Sequence, residues 1–158
     1  MSTSGVKWAA AVMPSELSIM QPTITIIPWT RAMAIRSGTL YFTTTNTAVP
    51  PGAGGAGDDA DVYRWNAAAP GNSYTRVYDA SGPGSAGLPA AAEVDGLVQL
   101  DATHLYLSFS GNITVTGLGA VQDEDIVQRS GTGWSTYFNG TAHGLTSTAL
   151  DIDAFDIP

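Results

Sequence analysis

Glu93-Val94-Asp95-Gly96-Leu97 returns 58 residues later as Asp151-Ile152-Asp153-Ala154-Phe155, and four earlier stretches return in the same order. Leu40-Tyr41-Phe42 comes back as Leu105-Tyr106-Leu107, and Asp59-Ala60-Asp61-Val62 as Asp123-Glu124-Asp125-Ile126. Tyr78-Asp79 is matched by Phe138-Asn139, and Gly87-Leu88 by Gly144-Leu145. Five ordered matches mark an internal duplication, and the drift of the spacing from 65 to 58 residues puts the insertions in loops. Within each copy, short β-branched and aromatic runs alternate with Gly, Pro, Asn and Asp, which is the pattern of strands and turns.

The pattern predicts an all-β chain of two homologous four-stranded antiparallel units, each resembling a propeller blade. Unit one, residues 31–92, carries strands Arg31–Arg36, Thr39–Thr45, Asp61–Asn66 and Tyr74–Tyr78. Unit two, residues 93–150, carries Glu93–Gln99, His104–Ser110, Asp125–Arg129 and Trp134–Phe138. Residues 151–158 hold an extra strand, Asp151–Asp156, that reads as the first of a third unit. Residues 1–30, with a candidate strand at Ile24–Ile27, are expected to cover the body, pinned by Trp8 and Trp29. The stretches Ala48–Gly57 and Pro83–Ala92 read as surface loops, the first too glycine-rich to order itself by packing.

Two blades cannot close a ring of the usual 4–8 and leave unpaired edges. Three arrangements answer this: a fragment of a longer protein, a self-covered sandwich, or assembly with copies of the chain. In the last, Asp151–Asp156 completes a neighbour's sheet, and a homotrimer makes a six-bladed ring.

With 158 residues the chain is long enough for one core-bearing domain. Charged residues are 13% of the chain, about half the usual share of roughly 25%. Residues 1–57 balance to +2 and residues 58–158 to −10, together the formal −8. An acidic field repels phosphates, which argues against a nucleic-acid partner and favours cations. No run of about 20 apolar residues offers a membrane span. The absence of cysteine is compatible with export. Trp8–Met13 is interrupted by Pro14 and Glu16, a poor signal-peptide core, so either export is absent or a leader has been removed.

The turn Ser130-Gly131-Thr132-Gly133-Trp134 lies between the third and fourth strands of unit two and resembles the Asp-box turn of sialidase-like propellers. Thr132 stands where that motif has its aspartate, so no catalytic residue carries over. More broadly, Leu105–Ser110 with Gly117-Leu118-Gly119, Asp123–Ile126, Trp134–Gly140 and Asp151–Ala154 resemble repeats of uncharacterised secreted bacterial proteins, over roughly residues 31–157. The resemblance implies a secreted or cell-surface bacterial β-repeat protein and brings no assigned activity.

Residues i and i+2 of a strand share a face. That places Asp59 beside Asp61, Glu93 beside Asp95, Asp123 beside Asp125, and Asp151 beside Asp153. Paired carboxylates repel one another unless a cation separates them, and their hard oxygens suit Ca²⁺. The same residues fit solvated strand starts that cap turns. Zinc is disfavoured: there is no cysteine, and His104 and His143 stand alone. There is no G-x-S-x-G elbow, and no ordered Ser/His/Asp set can be read from the chain.

Trp65, Tyr74, Trp134 and Tyr137 lie on strands and could stack on sugar faces, or fill the core between sheets. The resulting expectation is a non-enzymatic extracytoplasmic binding or assembly module, Ca²⁺-stabilised and carbohydrate-binding. The alternatives are a purely structural self-assembling repeat protein, or a glycoside hydrolase using Asp125, Asp153 or Glu93.

Overall fold

A computed structural model describes residues 30–36, 38–66, 73–82, 87–147 and 149–158 of the chain. The expected covering segment 1–29, with Ile24–Ile27, lies outside them. Eight strands fall where the β-branched and aromatic runs place them: β1 (Thr30–Arg36), β2 (Thr39–Thr44), β3 (Val62–Trp65), β4 (Tyr74–Tyr78), β5 (Val94–Gln99), β6 (His104–Phe109), β9 (Ile126–Ser130) and β10 (Gly133–Phe138). Two three-residue strands, β7 (Ile113–Val115) and β8 (Gly119–Val121), form a hairpin that is not among the expected strands. Such short strands carry almost no alternation of their own; burial of Val115 and Val121 in the main core holds them in place.

Each unit is an antiparallel meander. The first sheet runs β1-β2-β3-β4 and the second β5-β6-β9-β10, with the β7–β8 hairpin inserted between its middle strands. β5 packs against β1 and β2. The main core between the sheets takes Val62 and Tyr78 from the first and Leu97, Leu105, Leu107 and Val127 from the second. Each Val or Leu side chain buried there is worth about 1.5–3 kcal/mol relative to exposure.

The duplication is legible in the packing. Val62 and Tyr78 join the main core, while their counterparts Ile126 and Phe138 belong to a smaller cluster with Val98, Tyr106, Ile152, Phe155 and Ile157. Residues 151–157 thus lie on the second sheet as β5 lies on the first. One hydrogen bond recurs with them. The Thr43 hydroxyl donates to the Val94 carbonyl at 3.5 Å, and the equivalent Ser108 hydroxyl donates to the Ile152 carbonyl at 2.5 Å. Gly96 permits the close approach, because a Cβ there would overlap the Phe155 ring and the Ser108 hydroxyl.

The expected strand Asp151–Asp156 belongs to neither sheet. The segment is held by the Ile152 N–H, which donates to the Asp123 carbonyl at 3.4 Å, and by Arg36 of β1, which donates to the Ile157 carbonyl at 2.9 Å. Gly-rich residues 53–57 lie in a mostly exposed loop. Arg76 of β4 donates to the carbonyls of Gly54 at 2.9 Å and Ala56 at 2.5 Å, ordering by a guanidinium what apolar packing could not.

Candidate metal centre

Residues 151–157 lie against β5 and its sheet, and this decides which carboxylates meet. Glu93 and Asp95 are expected to pair within one strand, as are Asp151 and Asp153. In the structure Asp95 meets Asp151 and Asp153 of the following unit, with one oxygen from each within 4.8 Å of the others. Asp95 Oδ1 lies 3.0 Å from the Ser108 hydroxyl, whose one proton it shares with the Ile152 carbonyl, while its Oδ2 is buried and has no partner. Burial and the charges of Asp151 and Asp153 push the Asp95 carboxyl up to about 6. Burial and Asp153 also push Asp151 up, with Asp123 adding to the repulsion. Glu93 is drawn elsewhere: it pairs with Arg31 at 2.8 Å and accepts the Ser110 hydroxyl at 2.9 Å, and the Arg31 hydrogen bond holds its carboxyl below the ordinary value.

The two aspartates at the start of each third strand behave differently from the same-face pairs expected of them. Asp61 precedes β3 and turns inward, fully buried. Its Oδ2 accepts the Asp58 N–H and the Tyr63 hydroxyl, each at 3.0 Å, and its Oδ1 accepts the Ala80 N–H at 2.9 Å. Asp125 repeats the arrangement before β9, accepting Gln122 N–H at 3.0 Å and Gly140 N–H at 2.9 Å. Each carboxylate therefore closes its own turn and ties the end of the fourth strand to the start of the third. These bonds occupy the oxygens that a cation would need.

Asp58, Asp61 and Asp79 also form a close acidic group, but it already holds a cation. Arg76 lies 3.4 Å from Asp61 and 3.0 Å from Asp79. Asp59 and Asp123 join neither acidic group among the described residues. Burial and Glu124, its hydrogen-bond neighbour, push Asp123 up, the Glu124 contact being the larger cause. The sequence pattern marked Asp79 only as a repeat position and did not link it to Arg76 or Asp58; the pairing of β3 with β4 brings them together.

The four aromatics separate into two kinds. Trp134 stands edge-on to Tyr78 at 5.9 Å beside the main core, and its indole N–H is buried without a partner. Tyr137 is 47% exposed and edge-on to Tyr106 at 5.0 Å. Trp65 and Tyr74 sit directly opposite one another on β3 and β4, both half-buried, with Tyr74 edge-on to Phe42.

The pH dependence of stability follows from Asp95. Its unfolded value is 3.8 and its folded value about 6, so between these the folded state keeps a proton that the unfolded chain has lost. The stabilisation is full below the lower value and is lost as pH rises through the higher. In cation-free buffer the melting temperature is expected to rise as pH falls from about 7 to about 5. Melts of the Asp95→Asn variant check this, since the part of the rise due to Asp95 disappears there.

The chain matches no protein-family model, no curated protein and no solved structure. Among the described residues, no helix is long and apolar enough to cross a membrane.

Proposed function

We propose that the chain is an extracytoplasmic binding module of propeller-type units, in which Ca²⁺ joins Asp95 to Asp151 and Asp153 and clamps residues 151–157 onto the second sheet. The observation carrying this reading is the unpartnered, buried Oδ2 of Asp95 inside a group of carboxylate oxygens within 4.8 Å of one another. Oxygens bound to one Ca²⁺ lie about 2.3–2.6 Å from it, so they stand at most about 5 Å apart. Water would complete a shell of six to eight. The glycosidase alternative is weaker, because Asp125 is engaged by two backbone amides and Glu93 by Arg31. Trp65 with Tyr74 is the aromatic pair best placed to stack on a sugar face, and a glycan array with Trp65→Ala as control tests it.

Thermal melts with Ca²⁺ and with EDTA test the clamp. At a Ca²⁺ concentration about 100 times its dissociation constant, binding adds about 2.7 kcal/mol. At about 2–4 °C per kcal/mol, the midpoint is expected to rise by about 5–10 °C. Asp153→Asn should remove most of that rise. An identical midpoint in Ca²⁺ and EDTA overturns the clamp.

A further inference from the structure

At the opposite end of the second sheet from the aspartate group, β6 begins with His104 and β9 ends with Ser130, paired directly across the strands. His104 Nδ1 lies 2.8 Å from Asp101 Oδ2, and His104 Nε2 lies 3.3 Å from Ser130 Oγ. We propose that Ser130, His104 and Asp101 form a nucleophilic serine site that takes small activated acyl esters as substrates. This inference is independent of the cation clamp and adds a reactive group to the binding module.

The carboxylate is fixed before it meets the ring. Asp101 Oδ1 accepts the Thr103 N–H at 2.7 Å, the Thr103 hydroxyl at 2.8 Å and the His104 N–H at 2.9 Å, leaving Oδ2 for the imidazole. These bonds, the Thr103 N–H first, hold the Asp101 carboxyl well below the usual carboxylate range, so it stays ionised. An ionised Oδ2 at 2.8 Å draws the ring proton to Nδ1, although the Thr103 hydroxyl also lies 3.1 Å from that nitrogen. The Nε2 lone pair then faces Ser130. A separation of 3.3 Å is within the loose range of such sites before substrate binds.

Access is open. Ser130 is exposed, nothing lies within 4 Å of the position of a Cβ on Gly131, and at Gly133 only the Ser130 carbonyl does. In the reaction, Ser130 Oγ bonds to the ester carbonyl carbon while its proton passes to His104 Nε2. Collapse of the tetrahedral adduct breaks the carbon–alkoxide bond, and the alkoxide leaves with that proton. Water then attacks the acyl-serine, passes a proton to Nε2, and Ser130 Oγ recovers it as the acid departs. The overall change is ester plus water to acid plus alcohol.

The test treats the full chain with a fluorophosphonate and maps the adduct by mass spectrometry, alongside hydrolysis of p-nitrophenyl acetate. Labelling is expected at Ser130 in preference to the other serines, and Ser130→Ala should abolish both signals. His104→Ala should slow labelling about 100-fold, the scale of a lost general base. Asp101→Asn, which favours the wrong tautomer, should slow it comparably, with thermal melts confirming that the variant used is folded. No adduct at Ser130, or labelling at an unchanged rate in whichever of the two variants folds, overturns the proposal.

Discussion

Asp61→Ala is expected to abolish the cooperative thermal transition or lower its midpoint by more than about 10 °C. The carboxylate is fully buried and accepts three hydrogen bonds, with Arg76 3.4 Å away and only 11% exposed. Burial pushes the Asp61 carboxyl up, while the Ala80 and Asp58 amides, Arg76 and the Tyr63 hydroxyl pull it down. The hydrogen bonds and Arg76 thus offset part of the burial cost, and burial remains the larger effect. Truncation leaves two backbone N–H groups unsatisfied, at about 1–3 kcal/mol each. It also strips Arg76 of one of its two carboxylates, a loss below the about 3–5 kcal/mol of a charge left wholly unpaired, because Asp79 stays at 3.0 Å. Those losses rival the whole stability of an ordinary domain, about 5–15 kcal/mol. Asp125→Ala should cost less, because no guanidinium depends on that carboxylate among the described residues. Urea and thermal denaturation of both variants rank them. Equal midpoints, or an Asp61→Ala midpoint within about 2 °C of the parent, would refute this account of the repeat.

Gly140→Ala is expected to cost about 3 kcal/mol, near the upper end for overpacking. Gly140 follows β10 and donates its N–H to Asp125. A Cβ there would overlap the carbonyl oxygen and the side chain of Glu124. Unit one makes the same connection with Ala80, and there the counterpart of Glu124 is Ala60, also buried. The small residue thus stands after the fourth strand in one unit and before the third in the other. Glu124→Ala introduced beside Gly140→Ala should recover part of the loss, because it removes the side-chain overlap but not the carbonyl contact. A double-mutant cycle measured by denaturant melts checks the coupling. Strict additivity of the two substitutions would show that the positions do not meet as described.

The strands were legible because each is amphipathic or wholly apolar over four to seven residues, as in His104-Leu105-Tyr106-Leu107-Ser108-Phe109. The four-strand unit was legible because it occurs twice. The β7–β8 hairpin was not, since Ile113–Val115 and Gly119–Val121 are too short for any period to register and order themselves only against the core. In the candidate site, Asp95, Asp151 and Asp153 carried a signal: Asp151 lies with Asp153 as expected, but Asp95 joins them instead of Glu93. Same-face pairing within a strand is a local rule, and the neighbours of Asp95 that matter come from residues 151–157. Asp61 and Asp125 carried the same signal, and their turns direct them to backbone amides instead. Asp101, His104 and Ser130 carried none: His104 and Ser130 lie 26 residues apart, and only antiparallel pairing makes them opposite.

Sequence alone determined the β architecture and the duplication, because strand periodicity and repetition are properties of order along the chain. It also determined that acidic residues concentrate where units begin and third strands start. Tertiary structure decided what each acid does. A carboxylate's role depends on what lies within about 4 Å of it, whether an amide, a guanidinium or another carboxylate. Those neighbours come from strands and turns remote in sequence: Ala80 for Asp61, Gly140 for Asp125, Asp151 and Asp153 for Asp95. Residues 151–157 show the same division. Their sequence resembles a first strand, but packing decides their place: Ile152, Phe155 and Ile157 seat them on the second sheet, and they join no ladder.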